Sequence, residues 1–255
     1  MPQSDSGHYF ESRLIQSFSK HVKTYDRYAQ IQKSMAERLA SLLPDAPPQK
    51  TLEIGCGTGI FTRHLLARTN AKIVLNDISP AMVDHLKNHL DLPPHTKFVI
   101  GNAERLRFPK VQLIASNAVF QWFQNPEKTI HELSQCLEIN GTLVFSTFGP
   151  RTLHDFREIA EISGPTHLVP GREWKRMLSK SGLKLIEFYS EMRLIFFPST
   201  RNLMKNLQQI GAAPLRLMKP GQLRTIMKTY DERFASSQGI YTGWELYFFS
   251  AEKAE

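Results

Sequence analysis

A glycine-rich turn after a short apolar segment is the part of the sequence best suited to bind a ligand. Residues 53–59 read EIGCGTG, which places Gly55, Gly57 and Gly59 directly after a β-type segment. Because glycine has no side chain, a ligand can approach the bare backbone at the carboxyl end of the strand. A GxGxxG dinucleotide fingerprint would need glycine at position 60, where the chain has Ile60, so the pattern disfavours a nicotinamide or flavin cofactor.

An acidic residue ends the next predicted strand. Asp77 follows the apolar segment 71–75 and lies 24 residues after Glu53, which is 77 minus 53. A carboxylate at this place can accept hydrogen bonds from the hydroxyls of a ribose. The glycine turn and Asp77 together indicate a ligand that contains adenosine, without choosing among such ligands.

The order of the predicted elements is that of an α/β protein with a doubly wound sheet. Short β-type segments alternate with helical segments between residues 49 and 150, and Ser79-Pro80 predicts a helix start because serine is a good N-cap and proline suits the first helical position. Five βα units in about 100 residues predict parallel strands. A strand from Leu183 that extends as far as Phe197, and a last strand in 239–250, predict a reversed edge hairpin.

Helical segments flank this core in the sequence. Residues 10–44 predict N-terminal helices that end before a proline-rich linker, and residues 199–235 predict a helical cap inserted before the last strand. We therefore expect a cofactor-binding core at 49–150 inside a single domain over 1–255. Its sheet should be mostly parallel and seven-stranded.

Composition excludes several classes of protein. With 41% apolar residues among 255, the chain can bury a full core and is not a disordered tail. No apolar run approaches the roughly 18 residues of a membrane helix, and the first residues lack an apolar signal core, so we expect a soluble cytoplasmic protein that binds no membrane. Cys56 and Cys136 alone provide neither a disulfide framework nor a metal cluster, so no metal is expected.

Basic charge is concentrated in one stretch of the chain. Residues 172–228 carry 12 basic and 3 acidic side chains, a net +9, whereas the whole chain has 32 basic and 24 acidic side chains, a net +8. This concentration favours a docking surface for an acidic partner. The alternative is that these lysines and arginines are simply the polar faces of helices.

The motifs resemble those of class I S-adenosylmethionine-dependent methyltransferases over about residues 51–148. The resemblance rests on EIGCGTG, on Asp77 and on GNAE at 101–104. It implies that S-adenosyl-L-methionine is the methyl donor, that the glycine turn receives its methionine and ribose parts, and that Asp77 holds the ribose diol. The cofactor-binding residues implied are Glu53, Gly55, Gly57, Gly59, Asp77, Ile78, Asn102, Ala103 and Asn117.

Flanking segments extend the resemblance over nearly the whole chain. The segments are FSKHVKTYDRYAQIQ at 18–32, SNAVFQWF at 116–123, STFGPRTL at 146–153 and FPSTRNLMKNLQQIGA at 197–212. They resemble the malonyl-acyl carrier protein O-methyltransferases of biotin synthesis. That family methylates the free carboxylate of a malonyl thioester, which yields the methyl ester that primes pimeloyl synthesis. The resemblance implies acidic acyl carrier protein as the partner, docked on 172–228.

The loops that follow the fourth and fifth predicted strands should meet the methyl acceptor. Methyltransferases that act on exocyclic amines commonly have an Asn/Asp-Pro-Pro-aromatic segment after the fourth strand, whereas this chain has Ala118 and Val119 in place of the prolines. Methylation of a base amine is therefore disfavoured. A carboxylate with a pKa near ~4 is already ionised at neutral pH, so no residue is expected to act as a general acid or base.

Four residues are expected to bind this acceptor. Arg151 can pair with a carboxylate, and Tyr25, Gln121 and Trp122 should shape the pocket. Arg193 and Arg201 are lesser candidates for the carboxylate. Two other readings of the sequence stay open: a methyltransferase for another small-molecule carboxylate or hydroxyl, and a nucleic-acid-binding protein on a methyltransferase-like scaffold. No recognised nucleic-acid module supports the second, so we expect no nucleic acid partner.

Overall fold

The computed structural model describes residues 4–68, 72–162, 168–212 and 219–254, with side chains from residue 9 onward. Within these ranges the chain forms one eight-stranded sheet with the order β3-β2-β1-β4-β5-β8-β6, and β7 pairs with β8 beside this path. The strands are β1 Lys50–Ile54, β2 Lys72–Asp77, β3 Lys97–Ile100, β4 Val111–Asn117, β5 Leu137–Phe148, β6 Leu183–Phe197, β7 Ala235–Ser236 and β8 Gly239–Lys253.

The first five strands are parallel, and β8 is antiparallel to both β5 and β6. The predicted α/β class, the mostly parallel seven-stranded path and the reversed edge hairpin are confirmed. The eighth strand, β7, has two residues and was not expected from the sequence. Strand order reverses between β1 and β4, so the loops that leave these two strands diverge and open a crevice at the carboxyl edge.

Helices lie between the strands and at the start of the chain. The helices are α1 Ser4–Tyr28, α2 Gln30–Ala40, α3 Thr62–Leu66, α4 Pro80–His89, α5 Pro126–Cys136, α6 His154–Ile159, α7 Gly171–Lys180, α8 Thr200–Gln209 and α9 Pro220–Arg233. The predicted cap segment corresponds to α8 and α9. Helix α6 was not predicted. No helix in the described ranges is both long enough and apolar enough to span a membrane.

Strand β4 shows how the sheet organises two apolar cores. Leu113 and Ala115 belong to a core that includes residues of α2, α4, α8 and α9. Ile114, one residue away, belongs to a second core that includes residues of α5 and α7. Alternate side chains of a strand point to opposite faces, so both faces of the sheet are covered and its edge is left for a ligand.

The N-terminal helices are divided at one residue. Residue Ala29 has φ −81° and ψ 43°, which are outside helical values, and it separates α1 from α2. Its backbone N–H still donates to the carbonyl of Tyr25, at 2.9 Å, and its side chain is fully buried. The break lets α1 pack against α4 and α8 at the carboxyl edge while α2 packs against β4 and β5.

Candidate active site

The glycine turn after β1 has backbone geometry that glycine adopts easily. Gly55 has φ +71° and Gly57 has φ +53°. A Cβ atom on Gly55 would lie 2.3 Å from Cγ2 of Val119, so the turn packs directly against the loop that follows β4. A Cβ atom on Gly57 would meet nothing within 4 Å, since this residue borders an open cavity.

Asp77 at the end of β2 is tied to the same turn. Its Oδ2 accepts a hydrogen bond from the Gly57 N–H and its Oδ1 accepts one from the Ser79 N–H, both at 2.8 Å. Ser79 is the N-cap of α4, as predicted, and accepts from the Met82 N–H. Burial raises the pKa of Asp77 to about 6, although hydrogen bonds from the backbone act in the opposite direction.

A cavity of about 690 Å³ opens above the turn at the switch point of the sheet. Seven of the nine predicted cofactor residues line it. They are Gly55, Gly57, Asp77, Ile78, Asn102, Ala103 and Asn117. The volume lies in the usual range of small-molecule sites, and its walls combine apolar groups with a few fixed polar ones.

The other two predicted cofactor residues, Glu53 and Gly59, lie outside the lining of this cavity. The Glu53 carboxyl is 1% exposed and accepts a hydrogen bond from Thr62 Oγ1 at 2.7 Å, at the start of α3. Burial raises its pKa to about 8, so the group is largely protonated at pH 7. Gly59 has φ +89° and packs close to Leu86 of α4. Both residues therefore support the glycine turn on the side away from the cavity.

Helix α1 covers the large cavity from the solvent side. Phe10, Leu14 and Phe18 contribute to its lining. At one end of the cavity, Glu11 Oε2 accepts a hydrogen bond from Asn102 Nδ2 at 3.1 Å. Asp26 of α1 also accepts a hydrogen bond from the Thr58 hydroxyl in the glycine turn. A ligand in this cavity is thus enclosed between the sheet edge and α1.

A second, smaller cavity of about 60 Å³ adjoins the first. Phe18, Tyr25, Ala118 and Trp122 line both cavities and so form the wall between them. The Phe18 ring makes edge contacts with Trp122, at 5.8 Å between centroids, and with Tyr25, at 6.5 Å. Three of the four predicted acceptor residues, Tyr25, Gln121 and Trp122, line the small cavity.

Tyr25 and Gln121 present different polar groups there. Burial raises the pKa of Tyr25, and the charges of Asp77 and Asp26 raise it further, so its phenol is neutral and able to donate. Gln121 is held on both sides: its Nε2 donates to the Ala118 carbonyl at 2.7 Å, and its Oε1 accepts from Thr147 Oγ1 at 3.1 Å.

Arg151, the predicted carboxylate ligand, lies outside both cavity linings. Its Nη2 is 2.8 Å from Glu245 Oε1, its Nε donates to the same oxygen at 2.9 Å, and its backbone N–H donates to Oε2. The Arg151 side chain is 64% exposed, whereas that of Glu245 is 6% exposed. The ion pair holds the loop after β5 against β8, and it neutralises the charge that was expected to face the acceptor.

Arg157 on α6 lines the small cavity instead, a residue that the sequence analysis missed. Its Nε donates to the Thr152 carbonyl at 3.0 Å, and its Nη2 donates to the Pro150 carbonyl. No Asp or Glu side chain pairs with it in the described part of the chain. Burial lowers its pKa, as desolvation does for an uncompensated cation.

Two buried polar atoms of side chains that line this cavity have no hydrogen-bond partner among the described residues. They are Gln32 Oε1 and Trp244 Nε1. Two residues of the cavity lining, Ala118 and Leu153, have φ values of +57° and +52°, which side chains other than glycine rarely adopt. Unpartnered groups and strained backbone are both concentrated at functional sites.

Comparison with known proteins identifies this arrangement. A family model described as a methyltransferase domain matches residues 25–188. A malonyl-acyl carrier protein O-methyltransferase of Anoxybacillus flavithermus is 34% identical over 247 residues, which cover 90% of this chain and 93% of that protein. One of Paenibacillus sp. is 30% identical over 251 residues, covering 87% and 91%. The chain belongs to the malonyl-acyl carrier protein O-methyltransferase family.

Solved structures agree with the fold of this family. The YcgJ protein of Bacillus subtilis aligns with a TM-score of 0.64 at 16% identity, covering 87% of this chain and 99% of that one. A geranyl diphosphate methyltransferase in complex with S-adenosylmethionine aligns with a TM-score of 0.55 at 16% identity, covering 87% and 85%. As a malonyl-acyl carrier protein O-methyltransferase family member, the chain is a methyltransferase enzyme with S-adenosylmethionine as methyl donor.

The large cavity fits this donor by its residues. The open space beside Gly57 suits a ligand that approaches the backbone, and Asp77, held by the Gly57 N–H, offers a carboxylate to a ribose. Among the described side chains, no group of three His, Cys, Asp or Glu residues is arranged to hold a metal ion.

Proposed function

We propose that this enzyme transfers a methyl group from S-adenosylmethionine to the free carboxylate of a malonyl group carried on acyl carrier protein. The product is the malonyl methyl ester that primes pimeloyl synthesis for biotin. The observation that carries the proposal is the small cavity, which adjoins the cofactor cavity across Tyr25 and is lined by Arg157, an arginine that pairs with no described carboxylate. The names of the relatives from A. flavithermus and Paenibacillus sp. support the same acceptor.

The chemistry needs positioning more than proton transfer. The bound cofactor supplies a methyl group already activated on a sulfonium. A malonyl carboxylate is ionised at neutral pH and attacks without a base. The lining of the small cavity accordingly contains no Asp, Glu or His among its described residues, so no negative charge repels the acceptor there.

The residues at the wall between the cavities orient the two reactants. Phe18 and Trp122 place aromatic rings in the wall between the two cavities. These rings exclude water and suit the positive charge of the donor. The neutral phenol of Tyr25 can donate a hydrogen bond to an acceptor oxygen. We assign Asp77 to the ribose hydroxyls, and Asn102 and Ala103 to the edge of the adenine.

The carrier protein should dock on only part of segment 172–228. On α7, Lys180 pairs with Glu127 at 2.9 Å and Arg176 pairs with Glu173 at 2.9 Å, so both charges are already compensated. On α8, Arg201 and Lys205 are exposed and make no ion pair with a described residue. Leu207 and Ile210, farther along the same segment, line the small cavity. We therefore place the docking site for acidic acyl carrier protein on α8.

The same contacts support one catalytic domain over 1–255. Helix α1 packs against α4 of the core and α8 of the cap, so the N-terminal helices within 10–44, the core at 49–150 and the cap at 199–235 enclose one site. We propose that these segments function as a unit.

The first experiment is methylation of a defined carrier. The enzyme is incubated with methyl-labelled S-adenosylmethionine and either malonyl- or acetyl-acyl carrier protein, and the mass of the intact carrier is measured. A gain of one methyl on the malonyl carrier alone supports the proposal, because the acetyl carrier has no free carboxylate. If neither carrier gains mass while calorimetry shows cofactor binding, the acceptor is another small-molecule carboxylate or hydroxyl.

Charge reversal tests the docking site. Replacing Arg201 and Lys205 together with Glu should raise KM for the malonyl carrier and leave kcat little changed. Lys97→Glu, on an exposed lysine at the start of β3, is the matched control. Equal effects of the two charge reversals would contradict docking on α8.

A further inference from the structure

The small cavity is lined by two side chains with hydrogen-bond donors that no described residue accepts. Arg157 uses its Nε and Nη2 to bond two backbone carbonyls, and its Nη1 has no partner among the described residues. Trp244, on β8, has its indole N–H buried without a partner, and its side chain is 4% exposed. Leaving a buried donor such as the Trp244 N–H unbonded costs stability, and the half-buried Arg157 places a guanidinium on the same cavity, so the pair suits a ligand that accepts hydrogen bonds.

The charges around the cavity favour an anion. Glu245 is adjacent to Trp244 in the chain, but its carboxylate is engaged by Arg151. Arg193, a lesser candidate for the carboxylate, pairs with Glu191 and donates to Ser34. Arg157 is therefore distinguished from Arg151 and Arg193 by lining the cavity and by having no described carboxylate partner.

Two backbone carbonyls fix the position of the Arg157 guanidinium at the cavity. The two carbonyls that it bonds, those of Pro150 and Thr152, belong to the loop that follows β5. The Arg151–Glu245 ion pair anchors that loop to β8. The guanidinium is held before any ligand arrives, so little side-chain entropy is lost on binding.

We propose that Arg157 and Trp244 form the subsite that binds the malonyl carboxylate, with Arg157 as its cation. This assignment rests on the proposed function. One carboxylate oxygen accepts hydrogen bonds from Arg157 and Trp244, and the other faces the wall formed by Tyr25. The free oxygen forms a bond to the methyl carbon while the carbon–sulfur bond breaks and its electron pair goes to sulfur. No proton moves, and the charge of the acceptor disappears.

Loss of that charge gives the subsite two consequences. The ester product is neutral, so it no longer forms an ion pair with Arg157 and binds more weakly than the malonyl substrate. An acetyl carrier lacks the carboxylate altogether, so it leaves both donors unbonded. The subsite therefore selects the malonyl group and favours release of its ester.

The test compares binding of two carriers to enzyme variants that contain S-adenosylhomocysteine, so that no reaction occurs. Calorimetry should show that the wild type prefers malonyl- over acetyl-acyl carrier protein. Arg157→Gln should abolish this preference and lower kcat/KM by at least about 30-fold, as expected when one partner of a desolvated charge pair is removed. Affinity for S-adenosylmethionine and thermal unfolding report whether the variant is folded. Arg157→Lys should recover only part of the loss.

Two further variants sharpen the result. Trp244→Phe removes the indole N–H but keeps an aromatic ring, and should reduce the preference for the malonyl carrier. Arg151→Gln should retain the preference, because Glu245 already neutralises that arginine. The assignment is overturned if Arg157→Gln keeps the full preference, or if Arg151→Gln loses it while remaining folded. Failure of the proposed function is seen separately, as a wild-type enzyme that binds cofactor but leaves the malonyl carrier unmethylated.

Discussion

Tyr25 and Trp122 line the same two cavities from different parts of the chain. Tyr25 comes from α1, near the N-terminus, and Trp122 comes from the 3₁₀ turn 120–122 that follows β4. Phe18 packs its edge against both rings, so the three aromatic side chains form one wall. Methyl transfer between the cavities must pass this wall, which makes its polar member, Tyr25, the first residue to alter.

Tyr25→Phe should lower kcat/KM for the acceptor by about tenfold, the effect of losing one hydrogen bond of ordinary strength. The ring and its packing remain, so affinity for S-adenosylmethionine should stay within about twofold. Steady-state kinetics and calorimetry measure the two quantities. Unchanged kinetics would show that the phenol hydroxyl makes no contact with the acceptor.

Gly55→Ala should prevent cofactor binding and destabilise the fold by about 2 kcal/mol or more, because the new methyl group overlaps Val119 and the backbone has a positive φ. Gly182→Ala is a matched control: its φ is +73°, but a Cβ atom there meets nothing within 4 Å. Chemical denaturation compares the two variants. Adding Val119→Ala to Gly55→Ala should recover part of the stability, and similar losses in both single variants would show that strain alone matters.

Cofactor affinity should depend on pH through Asp77. Its pKa is raised to about 6, so the carboxylate that we assign to the ribose hydroxyls is present above this pH and becomes protonated below it. The dissociation constant for S-adenosylmethionine should therefore increase as pH falls from 7 to 5. Asp77→Asn should bind more weakly at pH 7 and show little change over that range. A wild-type affinity that is flat with pH would contradict this role.

Glu53→Gln should leave cofactor affinity and stability nearly unchanged at pH 7. Burial raises the pKa of Glu53 to about 8, so the neutral amide replaces a group that is already mostly uncharged. Its Oε1 can still accept the hydrogen bond from Thr62. Calorimetry with S-adenosylmethionine tests whether Glu53 contacts the cofactor. If it did, Glu53→Gln would lower the affinity for the cofactor by at least about tenfold.

The sequence predicts local features of this protein better than its long-range pairings. Ser79 and Pro80 are neighbours and indicate the start of α4 directly, and the structure confirms this cap. Arg151 was expected to face the acceptor because it follows β5. Its partner Glu245 lies 94 residues away, and no local spacing reveals that contact.

Arg157, by contrast, lines the small cavity although the sequence did not predict it as a site residue. It belongs to the six-residue helix α6, which was not predicted, and what distinguishes it is that no described carboxylate pairs with it. Glu53 was expected to contact the cofactor because it is the first residue of the EIGCGTG motif. The side chain instead turns away to α3, where Thr62 meets it. The alternating segments predicted the parallel strands, but only the folded structure shows that Arg151 is paired with Glu245 while Arg157 lines the cavity.

Helix α1 roofs both cavities and is bonded to Asn102 beside one end of the cofactor site and to Thr58 in the glycine turn. In the proposed reaction, α1 therefore borders both the methyl donor and the malonyl group. We expect an ordered kinetic mechanism in which S-adenosylmethionine binds first and its demethylated product dissociates last. Movement of α1 away from the cavities would then limit the turnover rate. We therefore expect kcat to decrease as solvent viscosity increases.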